Sequence, residues 1–243
     1  VALHFVVPGA AGAAPGGTLD LEGAEAHHAA SVRRVRPGER VTVTDGRGAW
    51  VEAEVRTAAR ERVELGVLAR ADVPRDAPRI ALAQALAKGD RDELAVQAAT
   101  ELGVDEIVPW QAARSVSRWQ GPKAEKGRAR WETIVREAAK QAHRAWIPEV
   151  APVATTAALA ARAASARILV LDPWADDRLA VADVDAERDL LLVVGPEGGI
   201  APEELEALGA AGAERVRLGT GVLRTSTAGP AAIAVLSAIG GRW

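Results

Sequence analysis

Over the first seventy positions apolar and polar residues alternate with a period of two. That pattern gives half-buried strands at His4–Val7, Thr18–Leu21, Arg40–Thr44, Trp50–Val55 and Arg62–Leu68. Between the third and fourth runs stands Asp45-Gly46-Arg47-Gly48, a hairpin signal rich in residues that accept positive φ. One segment departs from the alternation: Glu22 to Val35 is expected to be a helix, stopped by Pro37-Gly38. Several short strands and one helix point to a small β-barrel over residues 1–72. Residues 73–78 (Val-Pro-Arg-Asp-Ala-Pro) then interrupt both periodicities and read as a linker.

From residue 79 to 243 the pattern changes to strands and helices in alternation. Strands are expected at Ile80–Leu86, Ile107–Trp110, Ile168–Asp172, Leu190–Val194 and Arg215–Leu218. Helices are expected at roughly Lys123–Ala145, Thr156–Ala164, Pro202–Leu208 and Thr227–Ile239. Another should run from Asp90 to Gly103, with Asp90 and Glu93 forming a capping box. The order implies an α/β domain around a mostly parallel sheet.

Composition narrows the function classes. The chain of 243 residues has no Cys, Met, Tyr or Asn, a single Phe and seven Trp. Disulfides, thiolate metal sites and cysteine nucleophiles are excluded, and a cytoplasmic address is expected. The opening Val1–Val7 run is too short for a secretory signal, and no apolar stretch is long enough to span a bilayer. Net charge is only −3, but it is segregated. Residues 114–146 hold nine Lys/Arg against three Glu, whereas residues 172–214 hold twelve Asp/Glu against two Arg. One face suited to a polyanion and another that avoids it would produce such a split, as would two well-solvated helical surfaces. In the basic stretch Arg136, Lys140 and Arg144 recur every four residues, a stripe suited to phosphates. Trp119 and Trp131 could stack on bases or pack internally. Arg33-Arg34-Val35-Arg36 closes the first helix, where cations also suit the helix dipole.

Two turns carry the sharpest chemistry. Leu190–Val194 runs directly into Gly195-Pro196-Glu197-Gly198-Gly199-Ile200, and Pro202-Glu203-Glu204 opens the next helix. Glycines at the carboxyl end of a parallel strand let backbone groups approach a ligand, although the same residues would also serve a tight turn alone. Leu218-Gly219-Thr220-Gly221-Val222-Leu223-Arg224-Thr225-Ser226-Thr227 repeats the arrangement, with hydroxyls able to cap the last helix. Arg224 stays charged and suits a carboxylate or phosphate. Two such turns could line one pocket. No dinucleotide fingerprint or P-loop is present, and the four histidines show no metal spacing, so no metal is expected. His27-His28 reads as structural or RNA-facing.

Six ordered blocks carry a resemblance. They are Lys88-Gly89-Asp90, Thr100-Glu101-Leu102-Gly103-Val104, Arg114-Ser115-Val116, Glu137-Ala138-Ala139-Lys140-Gln141, Gly195 to Gly199, and Leu218-Gly219 with Val222 to Thr225. Together they resemble the RsmE-type 16S rRNA (uracil-N3)-methyltransferases of the SPOUT superfamily. The stretch from His28 to Gly38 is similar to the same family's first domain.

The resemblance implies a PUA-like RNA-binding β-barrel followed by a SPOUT α/β-knot, a rare threaded fold. It implies S-adenosylmethionine as cofactor, a uridine of 16S rRNA in the small ribosomal subunit as substrate, and a homodimer formed through the knot domain. The implied cofactor set is Leu171, Val194, Gly195, Pro196, Glu197, Gly198, Gly199, Ile200, Leu218, Gly219, Val222, Leu223, Thr225, Thr227 and Ala228. Arg224 is the candidate for stabilising charge on the uracil, and Glu197 for positioning the cofactor or accepting a proton. Arg33, Arg34, Arg36, Arg114, Arg118, Lys140 and Arg144 would hold RNA backbone. Family members often carry Arg at the place of Gly221 and Glu at that of Ser226, so duties of those side chains do not transfer. Alternatives are another SPOUT methyltransferase acting on ribose or tRNA, and a non-catalytic RNA-binding assembly factor.

Overall fold

A computed structural model describes residues 2–179, 184 and 187–243, so Asp183 and Asp185 of the acidic stretch lie outside the described residues. The chain divides into two units. The first comprises the chain up to Arg75 with Ala139–Ile147, and the second comprises Asp76–Ala138 with Pro148–Trp243.

In the first unit five strands form one mixed sheet: β1 (Leu3–Val6), β2 (Thr18–Glu22), β3 (Arg40–Thr44), β4 (Ala49–Ala58) and β5 (Arg62–Asp72), in spatial order β1-β3-β4-β5-β2. Only the β1–β3 pair is parallel. Alternation works as the sequence implies: Val41, Val43, Val51, Ala53, Val55, Val63 and Leu65 are buried with Phe5 and Leu21 in one core. Register shifts between Glu52 and Ala53 and between Val55 and Thr57 curl the sheet around that core. The hairpin forms, with Asp45 Oδ1 accepting from the N–H groups of Arg47 (2.7 Å) and Ala49 (3.0 Å).

The expected Glu22–Val35 helix does not run through. α1 (Gly23–His27) passes into a π-helical stretch, His28–Arg33, which ends at Arg34 in the left-handed region at φ 53°. The widened turn lets the chain leave toward Pro37-Gly38 without a capping glycine. A segment distant in sequence completes this unit. The Gly48 N–H donates to Ala145 O (3.0 Å), the Ile147 N–H to Gly46 O (3.0 Å), and Trp146 Nε1 to Val73 O (2.8 Å).

The second unit holds an all-parallel sheet: β6 (Ile80–Ala85), β7 (Glu106–Trp110), β8 (Glu149–Val150), β9 (Ala166–Leu171), β10 (Asp189–Val194) and β11 (Glu214–Val216), in the order β11-β9-β10-β6-β7-β8. Its helices are α2 (Arg91–Glu101), α4 (Thr156–Ala161), α5 (Pro202–Ala210) and α6 (Thr225–Ile239); α3 (Pro122–Gln141) begins here and ends in the first unit. Both faces of the central strands are covered, which is why β6 and β10 read as continuous apolar runs. Ala81, Ala83, Leu191 and Val193 pack with Leu159 and Leu208 on one face. On the other, α6 approaches through Gly229, where a Cβ would lie 3.0 Å from Leu82 Cδ1.

Several local expectations are corrected. Asp90 occupies the N-cap of α2, but its side chain makes no capping bond, and Glu93 is drawn to Arg130 at 2.7 Å. Asp92 does the work instead, accepting from the N–H groups of Ala87 and Glu93, and burial raises its carboxyl above the ordinary value. α3 stops at Gln141 instead of Ala145, because His143 takes φ 53°. β11 ends at Val216, freeing Leu218 for the following bend. Arg224, not a hydroxyl residue, is the N-cap of α6, and its side chain makes no capping bond.

Candidate active site

β11, β9 and β10 lie side by side and run in the same direction, so their carboxyl ends open on one edge of the sheet. A cavity of about 820 Å³ sits there. Its walls are Leu171 to Trp174 after β9, Val194 to Ile200 after β10, and Val216 to Gly219 with Gly221 to Arg224 after β11. Thr225 and Ala228 of α6, Leu205 of α5, Arg91, Arg114, Arg215 and Arg217 complete it. The two glycine bends therefore face one space. Every residue of the cofactor set lines it except Thr227, which is exposed on α6 outside the cavity.

The bend after β10 is tightly held. Gly195 is required by its neighbour, since a Cβ would stand 2.6 Å from Ile200 Cγ1, and Gly199 takes φ 74°. Glu197 Oε1 accepts from Arg91 Nη1 at 2.7 Å and from the Lys88 N–H at 3.2 Å. Partial burial opposes ionisation of Glu197, but Arg91 and the N–H groups of Glu197 and Lys88 together hold its carboxyl below the ordinary 4.5. Arg114 Nη1 donates to Gly198 O at 3.1 Å. Behind the bend, buried Glu204 accepts from the Ala201 N–H (3.3 Å), the Ala113 N–H (2.9 Å) and the Thr156 hydroxyl (2.7 Å), tying α5 to the segment after β7 and to α4.

The bend after β11 is open. Added Cβ atoms at Gly219 or Gly221 would meet nothing within 4 Å. Val222 and Leu223 are exposed, as is Trp174 at 80%. Arg224 is exposed too, and among the described residues its guanidinium has no hydrogen-bond or ion-pair partner. The other cations of the cavity are committed: Arg91 to Glu197, Arg114 to Gly198 O, Arg215 to buried Asp172, and Arg217 to Ala175 O.

The RNA-facing candidates divide. Arg33, Arg34 and Arg36 are exposed at the end of the π-helical stretch. Arg114 belongs to the cavity, and Arg118 is exposed with Nη2 donating to Ala113 O at 2.7 Å. Arg144 is half-buried. Lys140 is corrected: it is 8% exposed and paired with Glu25 at 3.1 Å, so its charge is spent inside the first unit. Trp119 and Trp131 are buried edge-to-face at 5.1 Å and stack on nothing outside.

Sequence reasoning missed Asp172, Glu204 and Gln84. A signal existed for two of them. Glu204 is the third residue of a helix opened by Pro202, where a side chain can reach back to the cap, and Gln84 interrupts an apolar strand. Asp172 pairs with a residue forty-three positions away, which no local pattern shows.

The space fits S-adenosylmethionine. Leu171, Val194, Ile200, Val216, Val222 and Leu223 give the cavity an apolar lining on which a purine could rest, and glycines of both bends line it as well. Among the described residues no cluster of three His, Cys, Asp or Glu could hold a metal.

A doubly covered parallel sheet with paired glycine bends at its carboxyl edge, joined to a curled PUA-like sheet, defines an RNA methyltransferase of the SPOUT α/β-knot class. An RNA methyltransferase domain matches residues 75–237, and an RNA methyltransferase PUA domain matches residues 21–68. The ribosomal RNA small subunit methyltransferase E of Mycobacterium bovis is 45% identical over 94% of this chain and 89% of its own length. That of Bacillus subtilis is 31% identical over 90% of each. The Neisseria gonorrhoeae enzyme of the same name, solved with S-adenosyl methionine, superposes at TM-score 0.88 with 29% identity over 98% of both chains. A methyltransferase of Legionella pneumophila solved with the same cofactor gives 0.84 and 30%, covering 97% of this chain and 96% of its own. The chain belongs to the ribosomal RNA small subunit methyltransferase E family.

Proposed function

We infer that this chain transfers the methyl group of S-adenosylmethionine to N3 of a uridine in small-subunit 16S ribosomal RNA. It is a S-adenosylmethionine-dependent rRNA methyltransferase of the RsmE type. The observation that carries the chemistry is the pair of glycine bends closing on a single cavity, one locked and one open.

The bound cofactor supplies an electrophilic methyl on a sulfonium sulfur. The locked bend presents backbone groups at a fixed position, so the cofactor meets a surface that needs no rearrangement. Uracil N3 holds a proton at neutral pH and becomes nucleophilic as that proton passes to solvent water. Arg224, which lines the cavity and has no partner among the described residues, is the group that stabilises the negative charge developing on the ring in this reading. Glu197 fits the positioning half of its expected role. A carboxyl held below its ordinary value and committed to Arg91 is a weak base, so it braces the bend and does not accept the proton.

Arg33, Arg34, Arg36 and Arg118 hold the RNA backbone in this reading. The exposed apolar rim of Trp174, Val222 and Leu223 supports a homodimer joined through the knot domain. No described helix is long and apolar enough to cross a membrane; a ribosomal RNA substrate is what supports work in the cytoplasm.

The test is methyl transfer from labelled cofactor to small subunits of cells lacking the activity, followed by mass mapping of the RNA. A single N3-methyluridine in 16S rRNA is expected. A methyl group on ribose or on tRNA would replace this proposal with another SPOUT specificity.

A further inference from the structure

Gln84 is the one polar side chain in β6, where all six residues of Ile80–Ala85 are buried, and it is itself 0% exposed. It stands in register with Val194, the last residue of β10 before the first bend. Its Nε2 lies 2.9 Å from Thr225 Oγ1 and 3.3 Å from Ala85 O. A carbonyl can only accept, so the amide nitrogen belongs on that side and donates to the Thr225 hydroxyl as well. The hydroxyl, having accepted from Gln84, directs its own proton to Gly195 O at 2.8 Å. Thr225 begins α6 at the end of the second bend, and Gly195 begins the first. One chain of two hydrogen bonds thus runs from the sheet through one bend to the other.

We propose that Gln84 is a positioning residue: through Thr225 it fixes the Gly195 peptide plane and the separation of the two bends, and so sets the affinity of the site for S-adenosylmethionine. This rests on the functional reading above. Packing gives Gln84 no comparable reason to be there. Its Oε1 is buried with no partner among the described residues, a cost that an apolar residue of similar length would remove. Stability and cofactor affinity are therefore set against each other at this position.

The experiment compares wild type, Gln84→Met, Thr225→Val, Thr225→Ser and the Gln84→Met/Thr225→Val double variant. Calorimetry reads affinity for S-adenosylhomocysteine, the demethylated product, and thermal unfolding reads stability. Gln84→Met should bind about five- to tenfold more weakly with an unchanged or raised Tm. Thr225→Val should lose a similar factor, the double variant no more than either single one, and Thr225→Ser should retain wild-type affinity. In turnover the loss should appear in KM for the cofactor, with kcat held.

Wild-type affinity in Gln84→Met, or losses that add in the double variant, would overturn the relay. So would a fall in Tm alongside the lost binding, which would assign Gln84 to packing. Failure of wild type itself to bind the product analogue would instead count against the methyltransferase reading.

Discussion

The two bends that frame the cavity are built in opposite ways. The bend after β10 is fixed at four points, by Arg91 and Lys88 on Glu197, by Arg114 on Gly198 O, by Thr225 on Gly195 O, and by Glu204 on the Ala201 N–H. The bend after β11 has glycines with open space around them, two exposed apolar side chains and a guanidinium without a partner among the described residues. A site that must hold one molecule and act on another divides the work in this manner. In the function proposed above, the braced bend is preorganised for the cofactor, and the open one keeps the Arg224 guanidinium available for the nucleobase.

Removing the Arg224 guanidinium should have the largest effect. Arg224→Ala is expected to lower kcat by roughly 10²–10³, the cost of losing one preorganised charge-stabilising group. Cofactor affinity and Tm should stay close to wild type, because the Arg224 side chain makes no capping bond and its backbone contacts to α6 survive the change. Single-turnover methylation with saturating cofactor measures this, and retained turnover would remove Arg224 from the chemistry. Gly195→Ala comes next. Its Cβ would meet Ile200 at 2.6 Å, and the braced bend has no room to yield. Destabilisation of about 1–3 kcal/mol with a marked loss of cofactor affinity is expected, read by thermal unfolding and calorimetry. The matched change Gly221→Ala should shift stability by less than about 0.5 kcal/mol, since its Cβ would enter open space and its φ is not positive. Equal penalties at Gly195 and Gly221 would erase the distinction between the bends.

Those positions also show what a sequence can reveal. Both bends were legible because each couples an apolar strand to glycines and a helix start, a pattern written in adjacent residues. Their meeting in one cavity depends on a strand order no local pattern shows, in which β9 lies between β10 and β11 and all three carboxyl ends share one edge. The braces were not legible, since Arg91 and Glu197 stand 106 positions apart and Gln84 and Thr225 stand 141 apart. Lys140 shows the opposite failure. Its four-residue spacing with Arg136 describes one face of α3, but Arg144 falls beyond the helix end at Gln141, and spacing cannot say whether that face meets RNA or Glu25. The helix expected to reach Val35 failed for a local reason, because the left-handed turn at Arg34 is made without the glycine or asparagine that marks such turns.

The smallest effect concerns the brace that can be released by acid. The folded carboxyl of Glu197 lies below its ordinary 4.5, so the stabilisation it gives the first bend is fully present above that value and is lost as pH falls through the folded value. The open bend from Leu218 to Arg224 contains no carboxyl or imidazole group, so it should be indifferent to the same change. Because the Arg91 pair is partly exposed, its loss should weaken cofactor binding only about two- to threefold. Calorimetry with S-adenosylhomocysteine from neutral pH down through 4.5 and the lower folded value tests this against Glu197→Gln, which removes the charge at every pH. The variant should start at the weakened affinity and show a flatter profile than wild type. Parallel profiles for the two proteins would mean that the ion pair does not hold the bend, leaving Arg114 and Thr225 as its braces.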